Sequence, residues 1–304
     1  MTETLRAGVI GAGVFGGYHA QKWAGFDGVA LTAIFDSHPE RAEALAARFG
    51  ARAFNELPAF FDAADVVSIT TPAISHGPRA LQALKAGKPV YIEKPLAVTP
   101  NEADAIVAEA ARRKLVVACG FSERVAIEAI GLLAVTERPI MIEATRLGAP
   151  SPRNQDVSVV LDLMIHDLDI ALRLAGGAPL TVEAEGVAGA TGLLDEVRAE
   201  ITFDSGVVAR LHTSRVAPAA DRRMRITYQS GTVDIDFVAG KLANSTNFPL
   251  DPDFAATPVA RDRLNASLAR FLAAVRGEGR VLADARDGAL ALDLALAVEQ
   301  AADN

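Results

Sequence analysis

Three groups of residues in this chain have types and spacings that can do chemistry: a glycine turn (Gly11, Gly13, Gly16), the tripeptide Glu93, Lys94, Pro95, and the pair Asp162 and His166. The glycines sit in the run Val9, Ile10, Gly11, Ala12, Gly13, Val14, Phe15, Gly16, which follows an apolar segment and opens a helical one. That context makes a glycine pattern a dinucleotide fingerprint. Gly11 permits the tight turn, Gly13 lets a pyrophosphate approach the backbone, and Gly16 lets helix and strand pack closely. The first amides of the helix, at Val14 and Phe15, then face the phosphates. Asp36 closes the next apolar run about 20 residues on, where an acid can bind the adenine ribose hydroxyls and repel a 2′-phosphate. The expected cofactor is therefore NAD, with NADP less favoured.

Thr70, Thr71 and Pro72 end the fourth strand-like run on the same carboxyl edge and are expected to line the nicotinamide side, although a plain strand-ending turn would read the same way. His19 and His76 have helical placements and could be bound to ligand or merely packed; His76 is carried as a cofactor-edge residue together with Glu93. Lys94 follows the apolar run Pro89 to Ile92 and so lands on that edge too. A lysine there can donate a hydrogen bond to a substrate hydroxyl and stabilise alkoxide character. Alone it would read as a surface lysine paired with Glu93; beside the other motifs it reads as catalytic.

Asp162, His166, Asp169 and Arg173 are spaced four, three and four apart within a helical stretch from Val157 to Ala175, so they are expected on one stripe. For Asp169 and Arg173 an ordinary i, i+4 salt bridge on a solvated face is an equal reading. For Asp162 and His166, a carboxylate one turn before an imidazole can orient it and raise its basicity, giving a general base near neutral pH.

The elements that must hold these groups are legible as patterns. From Arg6 to Cys119, short β-rich runs (Ala7 to Ile10, Ala30 to Phe35, Arg52 to Phe54, Val66 to Thr70, Val90 to Ile92, Leu115 to Ala118) alternate with helical stretches (Val14 to Ala24, Pro39 to Phe49, His76 to Ala86, Asn101 to Arg113), the grammar of a parallel sheet with crossover helices. After Phe121 the grammar changes. A helix (Ala126 to Val135), a strand (Ile140 to Arg146), a loop with Pro150 and Pro152, and the helix carrying Asp162 lead into strand-like runs at Thr181 to Ala188, Val197 to Phe203, Val207 to Thr213, Met224 to Tyr228 and Thr232 to Phe237. These predict a mostly antiparallel open sheet, closed by helices at Leu264 to Val275 and Asp287 to Ala302. The expected organisation is α/β: a Rossmann dinucleotide-binding domain over residues 1–121, then an α+β domain over 122–304 for substrate binding and oligomerisation. An open sheet with helices on one face needs cover on the other, which predicts a homodimer or homotetramer through that sheet.

Bulk properties narrow the class. The chain of 304 residues exceeds the size at which one core keeps growing. Apolar residues make up half of it but fall in short runs, so no membrane span is expected. A net charge of −8 argues against generic nucleic-acid binding while leaving room for an anionic ligand at a local basic cluster. The single cysteine, Cys119, cannot form an internal disulfide or a thiolate zinc site, and no metal is expected. With no charged leader before the first strand, a cytoplasmic protein is expected.

Taken together, the fingerprint followed by His19, the Thr-Pro element with His76, Glu-Lys-Pro, and the Asp162, His166, Asp169 helix resemble the Gfo/Idh/MocA oxidoreductases. The resemblance runs from Arg6 to about Leu174 by motif and beyond by order of elements. It implies that Lys94, Asp162 and His166 form the catalytic set; the peptide before the motif proline is often cis in relatives, and the sequence leaves the isomer at Pro95 open. Where many members have glycine two residues after the helix aspartate, this chain has Met164. That version, with Phe121, Ser122, Glu123 and Arg124 after the sixth strand, is similar to the subgroup oxidising sugar nucleotides at the 3-position, such as UDP-N-acetylglucosamine 3-dehydrogenases. A nucleotide sugar presents a diphosphate, so Arg124, Arg146, Arg153 and the group Arg222, Arg223, Arg225 become candidates for clamping it, with Arg124 and Arg146 carried as substrate-binding residues beside Lys94, Asp162 and His166. A free sugar or polyol dehydrogenase of inositol type is the alternative. A dinucleotide-sensing regulator without catalysis would be expected to lack the lysine or the histidine, and both are present.

Overall fold

A computed structural model of the chain describes residues 4–150 and 156–303. The chain divides into two compact units, Met1–Phe121 with Leu264–Ala289, and Ser122–Arg263 with Leu290–Asn304.

The first unit alternates β1 (Leu5–Ile10), α1 (Val14–Gly25), β2 (Val29–Phe35), α2 (Pro39–Phe49), β3 (Arg52–Phe54), α3 (Leu57–Asp62), β4 (Val66–Ile69), α4 (His76–Lys85), β5 (Val90–Ile92), α5 (Pro100–Arg113) and β6 (Val117–Cys119). The six strands are parallel in the order β3-β2-β1-β4-β5-β6, the doubly wound order whose chain reversal between β1 and β4 opens a crevice at the carboxyl edge. β4 and β5 are wholly buried and β1 is buried from Ala7 onward, as a sheet covered on both faces requires. Helix ends follow local chemistry: Pro39 and Pro100 open helices with φ already set, and Gly50 closes α2 in the left-handed region at φ 68°. α3 was not expected from the sequence pattern, where its six residues between two short strands read as loop.

The second unit contains α6 (Glu123–Ile130), β7 (Met141–Leu147), a π-helical turn over Val160–Met164 that runs into α7 (Ile165–Ala175), then β8 (Pro179–Ala188), β9 (Leu194–Phe203), β10 (Val208–Ser214), β11 (Asp221–Tyr228), β12 (Gly231–Asp236), β13 (Lys241–Asn244) and α8 (Pro258–Arg261). The seven strands lie in the order β13-β12-β11-β7-β10-β9-β8 and pair antiparallel, except for the parallel pair β7 and β10. Period-two alternation buries one face, with Ile142, Ala144, Val197, Ala199, Ile201, Leu211, Met224 and Ile226, against which the π turn and α7 pack. The opposite face is a carpet of cross-strand pairs such as Arg210 with Glu200 at 2.7 Å and Arg225 with Asp234 at 2.6 Å.

The structure corrects the expected layout in three places. α9 (Arg263–Val275), from Leu264 onward, belongs to the first unit rather than the second. Its Leu268 and Phe271 are buried in the core with Trp23, Ala20 and Leu31, and Tyr91 donates to Ser267 Oγ at 2.9 Å. The first residues of α10 (Ala285–Ala302) also belong there. α6 starts three residues earlier than expected and stops at Ile130, because Gly131 takes the left-handed conformation at φ 96° and ends it. The stretch from Val157 to Ala175 is not one α-helix. Its first turn is wider by one residue, which shifts the register between Asp162 and the residues that follow. Among the described residues, no helix is long and apolar enough to cross a membrane.

Candidate active site

At the carboxyl edge of the first sheet, β2, β1, β4 and β5 are consecutive neighbours, so the loops that follow them lie side by side. Backbone bonds tie each loop to the next: Gly11 N–H to Phe35 O at 2.8 Å, Thr70 N–H to Ile10 O at 2.9 Å, and Glu93 N–H to Ile69 O at 3.0 Å. The row of loops therefore carries Asp36, the glycine turn, Thr70 to Pro72 and Glu93 to Pro95 in that order. The glycines are there for contact reasons. Gly11 sits at φ 103° with the Thr70 backbone 2.8 Å from where a Cβ would be, and a Cβ on Gly16 would lie 1.8 Å from Gly11 O. At Gly13 a Cβ would meet nothing within 4 Å, so the backbone there faces open space, and α1 begins without a side-chain cap. Val14 and Phe15, at the start of α1, are exposed.

Asp36 accepts from Ala12 N–H at 2.7 Å and His38 N–H at 2.9 Å. Burial pushes its carboxyl upward, but these two amides, with the His38 ring and the charge of Arg41, together hold it below the ordinary carboxylate value, so it is ionised at neutral pH. The edge thus fits a dinucleotide: open backbone at Gly13, uncapped amides on α1, an ionised acid after β2, and Thr71 Oγ1, a buried hydroxyl oxygen with no partner among the described residues.

Two expected cofactor residues turn inward instead. Thr70, buried, donates its hydroxyl to Gly11 O at 2.8 Å with Ile10 O at 3.1 Å, so it staples the glycine turn to β4 and its hydroxyl is taken. His76, buried at the start of α4, places Nδ1 2.6 Å from Pro95 O and Nε2 2.9 Å from Thr71 O. Its ring bridges two edge loops. Burial pulls its pKa down against the opposing pull of the two carbonyls. Pro72 is exposed and opens a single 3-10 turn.

Lys94 is half-buried at the end of β5, and the Lys94–Pro95 peptide, whose isomer the sequence left open, is cis. Its neighbour Glu93 is held by a chain that the sequence reading did not assemble: His19 Nε2 lies 2.9 Å from Glu93 Oε1, His19 Nδ1 lies 3.0 Å from Ser68 Oγ, and Trp23 Nε1 donates to Ser68 Oγ at 2.8 Å. Because the indole can only donate, the bonds are satisfied when Ser68 donates to Nδ1 and Nε2–H donates to the carboxylate, which fixes the tautomer of His19. Gly120 presses from the other side, where a Cβ would lie 2.9 Å from Glu93 Oε2.

In the second unit, Asp162 is buried in the π turn and His166 is half-buried at the second residue of α7. π turns of this kind recur at functional positions. The flanking acids of α7 tie the helix down. Asp167 takes Arg146 Nε at 2.8 Å and Nη2 at 2.9 Å, and Asp169 takes Arg124 Nε at 2.8 Å and Nη2 at 2.6 Å, all four residues buried. Asp169 thus pairs with Arg124 rather than with Arg173, which is exposed, and the solvated-stripe expectation is corrected accordingly. Arg124 and Arg146, expected on substrate, instead hold α7 to α6 and β7 with their guanidinium forks.

Glu123, also buried, receives Arg146 Nη1 at 3.0 Å and Arg263 Nη1. Burial alone would raise its pKa, yet the charges of Arg146, His166 and Arg263 bring it to about 2. His166 is therefore within electrostatic reach of the Glu123 carboxylate. Glu123, Asp167 and Arg263 were not singled out as site residues; Asp167 beside His166 was the available signal. Arg223 pairs with Asp221 and Arg225 with Asp234 on the exposed face. Arg153 lies outside the described residues.

Comparison with known proteins matches two family models to the chain. Residues 5–121 match the model of the oxidoreductase family with an NAD-binding Rossmann fold, and residues 144–234 match the GFO/IDH/MocA C-terminal domain. The chain is 38% identical to the UDP-N-acetylglucosamine 3-dehydrogenase of Acidithiobacillus ferrooxidans, over 98% of this chain and 97% of that protein. A solved structure of that dehydrogenase superposes with a TM-score of 0.90 at 39% identity, covering 99% of this chain and 98% of the other. An inositol 2-dehydrogenase of Rhizobium meliloti is 27% identical over 96% of this chain and 95% of its own. With the glycine turn, Glu-Lys-Pro and the aspartate–histidine helix all in place, the chain belongs to the Gfo/Idh/MocA family of NAD-dependent oxidoreductases.

Proposed function

We propose that this protein oxidises a hydroxyl of a sugar nucleotide to a ketone with NAD as electron acceptor, the substrate being UDP-N-acetylglucosamine and the carbon its 3-position. The observation that carries the reading is the placement of Lys94 at the end of β5, in the same row of loops as the glycine turn and Asp36. The identity with a UDP-N-acetylglucosamine 3-dehydrogenase along nearly the whole chain supports the substrate.

The glycine turn, the first amides of α1, Asp36 and Thr71 would hold NAD, which when bound supplies a two-electron acceptor for the alcohol carbon. Lys94 donates a hydrogen bond to the reacting hydroxyl oxygen and stabilises the alkoxide that develops there. His166 takes the hydroxyl proton at a ring nitrogen, and the carboxylates of Asp162 and Glu123 favour the imidazolium that results. The His19–Glu93 bond and the His76 bridge to Pro95 hold the Lys94 segment from both sides.

The internal engagement of Arg124 and Arg146 favours the second reading, a free sugar or polyol such as inositol, because it removes two expected diphosphate ligands. NADH formation measured with UDP-N-acetylglucosamine, free N-acetylglucosamine and myo-inositol decides: turnover on the nucleotide sugar alone supports the first reading, and turnover on inositol alone sinks it. We also infer a cytoplasmic homo-oligomer assembled through the exposed face of the second sheet, where mixed charges on β8 to β13 line a broad concavity. A monomeric mass by light scattering would remove that assembly.

A further inference from the structure

Period-two alternation divides the three arginines of β11. Arg223 and Arg225 point to the open face, each with its own aspartate, whereas Arg222 stands directly opposite Arg146 on β7 and so shares the helix-bearing face with it. There, three guanidiniums converge on one carboxylate: Arg146 Nη1 at 3.0 Å, Arg263 in a short contact, and Arg222 Nη1 at 3.9 Å from Glu123. Asp167 is already paired with Arg146. Arg222 is thus the third cation on a single acid, too far for a hydrogen bond and with about half of its side chain open to solvent.

Like charges opposite one another in a sheet are unfavourable, and the pull of Glu123 on Arg222 across 3.9 Å only partly offsets that cost. Burial, and then the charges of Arg146 and Arg263, lower its pKa against the opposing pull of Glu123 and Asp167. An excess of fixed positive charge, half-open, around an acid that also feels His166, is what an anionic ligand would neutralise.

We propose that Arg222, backed by Arg263, is the subsite for the diphosphate of a nucleotide-sugar substrate. This rests on the reading of the protein as a sugar dehydrogenase and settles which substrate class it takes. Arg124 and Arg146, whose forks are internal, then serve as the frame of the subsite rather than its ligands. The ordinary reason for a charged residue at a costly position is a ligand that repays it, and Arg222 has the exposure to meet one.

The test uses the full chain and the variants Arg222→Ala and Arg222→Lys. UDP binding is titrated calorimetrically, and initial rates are taken with UDP-N-acetylglucosamine and with free N-acetylglucosamine. In Arg222→Ala, UDP affinity should fall and KM for the nucleotide sugar should rise by about tenfold or more, the effect of one lost charge-assisted hydrogen bond, while kcat stays within about threefold. Rates on the free sugar should not change, Arg222→Lys should fall between, and the melting temperature should hold or rise because a repulsion has gone. Unchanged UDP affinity in Arg222→Ala would overturn the proposal, as would an equal loss on both sugars accompanied by a lowered melting temperature. If the wild-type enzyme oxidises only free polyols, the substrate reading fails by itself, and the UDP titration still decides the subsite: wild-type binding lost in Arg222→Ala upholds it, and no wild-type binding ends it.

Discussion

Along the carboxyl edge of the first sheet, the groups that matter are fixed by backbone: ladder bonds running from loop to loop, glycines that admit close approach, and single hydroxyls or imidazoles capping carbonyls. Under the second sheet the helix with Asp162 and His166 is fixed by charge, through Arg124 with Asp169, Arg146 with Asp167, and Glu123 among three arginines. The edge is held mainly by neutral backbone bonds, although Asp36 lies 3.3 Å from His38 Nδ1 and Glu93 lies 2.9 Å from His19 Nε2. A helix clamped by buried ion pairs holds its imidazole rigidly, but each pair is costly to break, because removing one partner leaves a buried charge unmatched. The two regions should therefore fail differently.

The largest effect is expected from Arg146→Met. It strands Asp167 and deprives Glu123 of one cation, so stability should fall by about 3–5 kcal/mol in denaturant titration. A loss under about 1 kcal/mol would mean the cluster is soft and the contrast drawn above is false. The same cluster has a pH signature. Glu123 is held at about 2, below its ordinary 4.5, so its contribution to stability is complete above pH 4.5 and is lost as pH falls through that range toward 2. Glu123→Gln should flatten the acid limb of the stability curve between those limits; an unchanged limb would show that Glu123 is not ionised there.

Next in size, Lys94→Ala and His166→Ala should each lower turnover by at least about a hundredfold, some 2.7 kcal/mol of barrier, with NAD binding retained. Groups that act on one proton transfer are not additive, so the double variant should be little worse than the poorer single one. Full activity in either single variant removes that residue from the reaction. Asp36→Ala comes third. It should shift the NAD to NADP preference by about tenfold, since the ionised carboxylate both accepts from ribose and repels a 2′-phosphate. The Ala12 amide would also lose its acceptor, so some loss of NAD affinity itself is expected. An unaltered cofactor ratio would leave Asp36 as a loop anchor only.

The contrast also explains what the sequence could tell. The edge was legible because its determinants are local: a glycine pattern between a strand and a helix, a proline after a short apolar run, an acid at a strand end. Each is a constraint on φ, ψ or close approach that a few neighbouring residues reveal. The charge cluster was less legible because its partners lie far apart in the chain, Glu123 with Arg263 and Arg146 with Asp167. Part of it was nonetheless within reach. In β7 the burial alternates through Ile142, Ala144 and Arg146, so the same period-two rule that predicted the strand places Arg146 inside, where it needs a carboxylate and not a phosphate. The rule also separates Arg222 from Arg223 and Arg225. The π turn was beyond reach: nothing in Val160 to Met164 departs from α periodicity. α9 was found as a helix but placed in the wrong unit, since an apolar stripe says that a helix packs without saying on what.

The smallest effect tests where these two kinds of construction meet in a single residue. Thr70 was expected to touch the cofactor, and the structure turns its hydroxyl toward Gly11 O and Ile10 O. Thr70→Val keeps the shape and removes the donor. If the hydroxyl is a staple, folding stability should drop by about 1 kcal/mol, and NAD affinity should fall by a few-fold because the glycine turn loosens, with KM for the sugar unmoved. If instead the hydroxyl faces ligand, NAD affinity should fall with no change in stability. The two measurements separate the readings because the acceptor carbonyls end β1 in either case and would lose their bond only in the first. A stable variant with weakened NAD binding would therefore return Thr70 to the cofactor and show that even the backbone-built edge depends on a side chain.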